Sequence, residues 1–183
     1  MNDIQMLIGG VPRAASNGAT FERRNPLDQS VATRAPAATA EDARAAVDAA
    51  AKAFPAWAAM VPGERRALLM KAAQALQAKG EAFAAAMAAE TGASGIWAGF
   101  NVHLAAGMLL EAASITTQIS GEVIPSNVPG NLALAVRQPA GVVLGIAPWN
   151  APVILAVRAI ATPLACGNTV VLKGSEISPA THG

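Results

Sequence analysis

Cysteine is almost absent from the sequence: among 183 residues, Cys166 is the only one. A single cysteine excludes an internal disulfide, so a reducing compartment is the simpler expectation and we predict a cytoplasmic protein. The opening residues, MNDIQMLIGG, contain an acid, no basic cluster and only a short apolar patch. This pattern is unlike a secretory signal peptide.

Charge is also scarce. Lys, Arg, Asp and Glu make up 14% of the chain, and the formal net charge is +1. No basic excess indicates nucleic acid as a partner, and no acidic run indicates disorder. Hydrophobic residues make up 53% of the chain, and many of them are alanine, a strong helix former. The length suffices for one domain with a sizeable core.

The mean hydropathy of +0.37 raises the alternative of a membrane protein. The best candidate span is residues 141–167. It contains five residues that are costly in a lipid-exposed helix, namely Pro148, Asn150, Pro152, Arg158 and Pro163. We therefore predict no membrane span.

Turn signals and helical periodicity divide the first two thirds of the chain. Gly, Pro and Asn-Gly signals in residues 1–38 predict two small surface strands. Four helices follow in the prediction: one after the N-cap Thr39, one from Pro62 to a stop at Gly80, one over Glu81–Thr91, and one over Ser94–Ser120.

The pattern changes after Gly121. Strands are predicted at Leu132–Gln138, Val142–Ala147 and Thr169–Lys173, with a helix between the last two that starts near Pro152 and closes at Gly167. Strand, helix and strand in this order predict a parallel βαβ unit with a right-handed crossover, and hence an α/β fold. Ligands bind at the carboxyl ends of such strands. Residues 148–150 and 173–176 should therefore lie at the same edge of the sheet.

The stretch QPAGVVLGIAPWNAPVILAVRAIATPLACGNTVVLKGSEISP resembles the aldehyde dehydrogenase superfamily, as do Asn25-Pro26 and AFPAW at residues 53–57. Within it, the sequence is most similar to bacterial salicylaldehyde dehydrogenases. The resemblance implies the N-terminal part of a Rossmann-like NAD-binding domain, with a helix-rich first half, a bridging β-hairpin and a βαβ unit. We expect residues 1–120 to form the helical part, 121–138 the bridging or oligomerisation hairpin, and 139–183 the first βαβ.

The resemblance also implies an activity. It is the NAD-dependent oxidation of an aromatic, salicylaldehyde-like aldehyde to its acid, through a thiohemiacetal and a thioester, in a homodimer or homotetramer. The family's catalytic cysteine and general-base glutamate lie C-terminal to anything in this chain. We therefore interpret the chain as an N-terminal fragment that is inactive alone, and Cys166 as a buried structural thiol. The alternatives are an aliphatic or semialdehyde substrate, or an NAD-binding or oligomerisation piece without activity.

Asn150 stands in the apolar run VVLGIAPWNAPVIL, between Pro148 and Pro152, which suggests a buried amide held by stiff backbone. The resemblance implies that its N–H donates to the oxyanion that forms on the aldehyde. The alternative is an asparagine that caps the following helix.

The family resemblance assigns Lys173 and Glu176 to the adenine-side ribose of the cofactor, with Ser175 in the same loop. A carboxylate accepts both ribose hydroxyls and repels a 2′-phosphate, which favours NAD over NADP. The alternative is a solvated salt pair. Gly174 departs from the family, which most often has proline there. Residues 146–149, namely Ile146, Ala147, Pro148 and Trp149, are expected to line the cofactor cleft.

Two residues depart from the aliphatic pattern and are candidates for substrate contact. Trp97 begins the fourth helix, which borders the acyl tunnel in the family, and Arg158 could meet a polar ring substituent. Core packing and a paired or snorkelling arginine are the alternatives. His103 is interpreted as structural, and no metal site is predicted.

Overall fold

The computed structural model describes residues 2–183, a mixed α/β arrangement of short strands and longer helices, as the sequence predicts. The strands are β1 Asn2–Asp3, β2 Met6–Ile8, β3 Val11–Arg13, β4 Thr20–Arg24, β5 Val31–Pro36, β6 Glu122–Ile124, β7 Ala133–Ala135, β8 Val142–Ile146 and β9 Thr169–Lys173. The helices are α1 Ala40–Ala59, α2 Pro62–Ala78, α3 Gly80–Thr91, α4 Gly95–Ile115, α5 Pro152–Ala165 and α6 Pro179–His182.

The N-terminal region contains five strands, so the prediction of two was wrong. Strand β5 lies between β1, to which it is parallel, and β4, to which it is antiparallel, while β2 and β3 form a separate hairpin. Strands of two or three residues are too short to show the alternation by which strands are recognised. Long-range pairing with β5 defines β1.

Helix α1 begins where its capping pattern predicts. The Thr39 hydroxyl accepts from the Asp42 N–H at 3.3 Å, and the Asp42 carboxylate accepts from the Thr39 N–H at 2.8 Å. The Thr39 N–H holds the pKa of Asp42 below its usual value. This capping box satisfies two donors that a helix start would leave unpaired.

Two helix boundaries differ from the prediction. Gly80 begins α3 instead of ending α2, and α4 ends at Ile115, five residues before the predicted Ser120. The Thr116 hydroxyl donates to the Ala113 carbonyl at 2.9 Å just past the end of α4. Such bonds from threonine to backbone compete with continued helix. Gly92 ends α3 as predicted, in the left-handed conformation.

The core lies between α2, α4 and α5 and is built mostly from small side chains. Ala73, Ala98, Ala105, Ala106 and Ala165 are almost fully buried. Leu69, Met87, Leu109, Val153 and Val157 fill the remaining space. Alanine at these contacts lets helix axes approach closely, because interaxial distance depends on the side chains between them.

Within residues 2–183, one helix, α4, is long and apolar enough to cross a membrane. Of its most apolar 18-residue stretch, 44% is buried inside the protein. Core helices pass the same test of length and composition. The span considered from sequence, residues 141–167, instead folds as β8, a turn and the 14-residue α5.

The last third contains the predicted βαβ unit. Strand β8 pairs with β9 in parallel, from Val142 opposite Thr169 to Ile146 opposite Lys173. The Gly145 backbone lies so close to α5 that an added Cβ would stand 3.0 Å from the Ala159 Cβ. Before this unit, β6 and β7 pair as an antiparallel hairpin.

Candidate functional site

The parallel pairing of β8 and β9 brings the two predicted site segments together. The Ala147 N–H donates to the Lys173 carbonyl at 3.0 Å, so the pairing extends one residue past the end of β8, to the last residue of β9. Residues 146–150 and 173–176 then leave the sheet side by side at its carboxyl edge. Ala147 is buried and its N–H is already bonded, whereas Ile146, Pro148 and Trp149 are exposed.

Asn150 lies on the surface of the described chain, so the expectation of a buried amide was wrong. The helix-capping alternative also fails, because the N-cap of α5 is Ala151, which makes no side-chain cap bond. Within residues 2–183 the Asn150 side chain makes no hydrogen bond, and its N–H₂ group therefore remains available to a ligand. Pro152, at the first position of α5, supplies the fixed φ that a helix start requires.

Trp97 contacts the Asn150 segment directly. Its indole Nε1–H donates to the Asn150 backbone carbonyl at 3.3 Å. Ser94 caps α4 by accepting from the Trp97 N–H at 3.2 Å, which fixes the first turn. The indole also stacks on Phe100, with ring centroids 5.5 Å apart and planes inclined by 19°. Phe100 was missed from sequence, although its i, i+3 spacing from Trp97 was a usable signal.

The Lys173–Glu176 pair forms as a surface ion pair. The Lys173 ammonium lies 3.2 Å from the Glu176 carboxylate, and the side chains are 58% and 69% exposed. The backbone N–H of Glu176 and then Lys173 lower the pKa of the Glu176 carboxyl, so it is charged at neutral pH. An exposed pair of this kind contributes little to stability. Both groups are free to turn toward a ligand.

Ser175 is different from its neighbours because it is buried. Its hydroxyl oxygen accepts from the Ile177 N–H at 3.2 Å, and its own N–H donates to Nδ1 of His182 at 2.9 Å. In the described chain its contacts shape the loop. Sequence reasoning missed His182, which shows no motif or spacing that would mark it.

Arg158 lies apart from the Trp97–Asn150 contact. It is exposed on α5, in a shallow depression that Met108, Glu111 and Thr162 also line. It lies six residues after Pro152, the first residue of α5, which is about 9 Å along the helix axis from that end. Among residues 2–183 it forms no ion pair, so it is neither buried nor paired.

Two further residues were interpreted as structural, Cys166 as a buried thiol and His103 without an assigned partner. Cys166, expected to be buried, is half-buried at the C-cap of α5. His103 is exposed on α4, so it contributes nothing to the core.

Residues 13–182 match the aldehyde dehydrogenase family. A vanillin dehydrogenase from Pseudomonas sp. (strain HR199 / DSM 7063) is 66% identical over 182 residues, which cover 100% of this chain and 38% of that protein. The crystal structure of a salicylaldehyde dehydrogenase from Pseudomonas putida G7 complexed with salicylaldehyde superposes with a TM-score of 0.97 and 48% identity, over 100% of this chain and 38% of that one.

An NAD-dependent benzaldehyde dehydrogenase from Corynebacterium glutamicum superposes with a TM-score of 0.93 and 35% identity, over 98% of this chain and 39% of that one. This chain thus spans about 38% of the length of the vanillin dehydrogenase that it matches. Because the family match runs through nearly the whole sequence and the fold agrees with it, this chain belongs to the aldehyde dehydrogenase family.

Proposed function

We propose that this chain is the cofactor-binding part of an NAD-dependent enzyme that oxidises aromatic aldehydes to carboxylic acids. The observation that carries the proposal is the convergence at one edge of the β8–β9 pair. The free Asn150 amide, the Trp97 indole bonded to its backbone, and the Lys173–Glu176 pair all lie there.

The carboxylate of Glu176 fits the ribose of a dinucleotide. It is charged and exposed, and it lies just past a parallel strand, where open α/β sheets bind nucleotides. Lys173 adds a donor to the same diol. NAD, when bound, would accept a hydride from the aldehyde carbon. The same negative charge disfavours a 2′-phosphate, and the similar benzaldehyde dehydrogenase from Corynebacterium glutamicum, which is NAD-dependent, supports NAD as well.

Asn150 would act on the aldehyde oxygen. Charge develops on that oxygen when a nucleophile adds to the carbonyl carbon, and an amide donor already in place stabilises it without reorganisation. Its own carbonyl is held by Trp97 and the next residues enter α5, so the backbone that carries the donor is fixed. The nucleophile and general base would come from residues outside 1–183.

The aromatic substrate class rests on Trp97 and on the similar proteins, which are a vanillin, a salicylaldehyde and a benzaldehyde dehydrogenase. Trp97 is 41% exposed, which leaves part of its indole available for stacking. A planar ring gains about 0.5–1.5 kcal/mol from such contact beyond burial. Arg158 is proposed as a donor to a polar ring substituent.

The test uses the full-length enzyme, obtained from a reading frame that continues past Gly183 or by joining residues 1–183 to the C-terminal part of the vanillin dehydrogenase. Steady-state kcat/KM is measured for vanillin, salicylaldehyde, benzaldehyde and a short aliphatic aldehyde, each with NAD and with NADP. We expect the aromatic aldehydes with NAD to give the highest values. Higher values for the aliphatic aldehyde, or with NADP, would contradict the proposal.

A second proposal concerns the β6–β7 hairpin as a subunit interface. Its apolar residues Val123, Leu132, Leu134 and Val136 are all exposed in the described chain. An exposed apolar ribbon of this kind is typical of a protein interaction site. We expect Val123→Ser with Leu134→Ser to reduce the oligomeric mass of the full-length enzyme in light scattering. Leu7→Ser, at another exposed leucine, on β2, is the control.

A further inference from the structure

His182 bridges two segments that are separate in sequence. Its Nδ1 accepts from the Ser175 N–H at 2.9 Å, and its Nε2 lies 3.1 Å from the Pro152 carbonyl oxygen. A carbonyl oxygen can only accept and an amide N–H can only donate. The proton is therefore on Nε2, and the ring is neutral.

Both partners belong to the candidate site. Ser175 lies between Lys173 and Glu176, in the loop proposed to hold the ribose. Pro152 lies two residues after Asn150, in the segment proposed to hold the oxyanion donor. One imidazole ring therefore connects the two ends of the site, through the backbone at each end.

The backbone of Gly174 packs closely against the His182 side chain. A Cβ added at Gly174 would stand 2.9 Å from the His182 Cβ and 3.1 Å from its Nδ1, so only glycine leaves this space.

Helix α6, which carries His182, is held from the other side by Glu90. This carboxylate is fully buried and accepts from the Ala180 N–H at 2.6 Å, the Thr181 N–H at 3.0 Å and the Thr181 hydroxyl at 2.8 Å. It also accepts from the Thr33 hydroxyl of β5 at 2.8 Å. The ring is therefore anchored to the N-terminal sheet as well as to the site.

We propose that His182 is a positioning residue that fixes the cofactor loop relative to the oxyanion segment. This inference rests on the proposed function, because the relative position of the two segments matters only if one binds the cofactor and the other the aldehyde oxygen. The residue touches neither substrate nor cofactor and acts through Ser175 and Pro152.

The test separates the two bonds. His182→Asn places an amide oxygen near the Nδ1 position, so it keeps the acceptor for Ser175 and loses the donor to Pro152. His182→Gln places the amide near Nε2, so it keeps the donor and loses the acceptor. His182→Leu loses both, and His103→Asn, at an exposed histidine of α4, is the control.

In the full-length enzyme we expect His182→Gln to raise the Kd and KM for NAD about 3–10-fold, the effect of one ordinary hydrogen bond, with kcat little changed. We expect His182→Asn to lower the single-turnover acylation rate by a similar factor, with NAD affinity little changed. His182→Leu should show both effects, and His103→Asn neither. Thermal melting of every variant identifies losses that come from unfolding alone.

Losses of melting temperature with unchanged NAD affinity and unchanged acylation would overturn the positioning role. So would equal effects of the Asn and Gln variants on both constants. Wild-type kinetics tests the proposed function separately. If the wild type oxidises aldehydes but the His182 variants do not divide their effects between NAD binding and acylation, the proposed function stands and this inference fails. If the wild type neither binds NAD nor oxidises an aldehyde, both fail.

Discussion

At the scale of single residues, Asn150 combines a fixed backbone with a free side chain. Trp97 holds the carbonyl and Ala151 takes the N-cap position, so the amide has no structural task among residues 2–183. The flanking backbone fixes the position from which the side chain extends, whereas the amide group itself is free to turn toward a ligand.

Replacing the amide of Asn150 tests whether it acts as an oxyanion donor or as a helix cap. In the full-length enzyme, Asn150→Ala should lower the acylation rate by roughly 10²–10³-fold, the usual effect of one oxyanion donor, with NAD affinity little changed. Because Asn150 caps nothing, the melting temperature should stay near that of wild type. Rapid-mixing kinetics and thermal melting measure the two quantities. Wild-type turnover in a less stable variant would restore the capping role.

The charge of Glu176 gives a prediction about cofactor choice. Glu176→Gln should weaken NAD binding and narrow the difference between NAD and NADP, because the repulsion of the 2′-phosphate is removed. Lys173→Ala should weaken both cofactors. Calorimetric Kd values for NAD and NADP check this. An unchanged ratio in Glu176→Gln would mean that the pair is only a solvated ion pair.

Trp97 offers two separable contributions, stacking and the bond to Asn150. Trp97→Phe should keep the preference for aromatic aldehydes and lower kcat for all substrates, since only the N–H donor is lost. Trp97→Ala should also remove the preference. The measurement is kcat/KM for salicylaldehyde, benzaldehyde and a short aliphatic aldehyde. Equal losses of kcat/KM for all three in Trp97→Ala would mean that Trp97 has only a structural role.

Arg158 is tested with the same substrates. If its guanidinium pairs with a ring hydroxyl, Arg158→Leu should reduce kcat/KM for salicylaldehyde more than for benzaldehyde, because a site built for a polar group discriminates against analogues without it. Equal changes for both substrates would contradict a substrate role.

At the scale of elements, the β9 loop, α5 and α6 form one unit through His182. Burial, and to a lesser degree Lys173, lower the pKa of His182 below its ordinary value, against the opposing effects of the Pro152 carbonyl and Glu90. The unfolded chain therefore binds a proton at a higher pH than the folded one. By linkage, stability is complete above about pH 6.5 and falls as the pH drops toward the folded pKa.

This gives an expected pH dependence. The melting temperature of the full-length enzyme should fall between pH 7 and pH 5, and His182→Asn should flatten the profile in that interval. The lowered carboxyl pKa values of Asp28, Asp42 and Glu176 act at lower pH, below about 4.5. Parallel profiles of wild type and variant would show that His182 is not the titrating group.

At the scale of the whole molecule, apolar surface remains uncovered on β8. Val142, Leu144 and Ile146 alternate on one face and are exposed, with Leu144 at 62%, whereas the opposite face packs on α5 through Gly145. Parallel sheets are normally covered on both faces. The β6–β7 hairpin adds more exposed apolar surface.

We therefore expect residues 1–183 expressed alone to aggregate and to oxidise no aldehyde, since neither the nucleophile nor the base of the proposed mechanism is among them. Light scattering and NADH production from salicylaldehyde are the measurements, with the full-length enzyme as the control. NADH production by the purified piece would require a nucleophile within it.

The sequence by itself determined the elements that depend on local chemistry. The Thr39–Asp42 capping box, Pro152 at a helix start, Gly92 at a helix end and the two strands around α5 were all predicted, because caps, turns and apolar periodicity act over a few neighbouring residues. The motifs after those strands also indicated the family to which the chain belongs, and they predicted the candidate site.

Only the tertiary structure decided the rest. The strands β1 to β3, the bond from Trp97 to Asn150, the exposure of Asn150, and the bridge from His182 to Ser175 and Pro152 depend on which distant segments pack together. The identity of a residue specifies which bonds it can make, but not which partner the folded chain brings within reach. For His182 that partner is fixed by Glu90, Gly174 and the parallel pairing of β8 with β9, none of which its own neighbours in the sequence reveal.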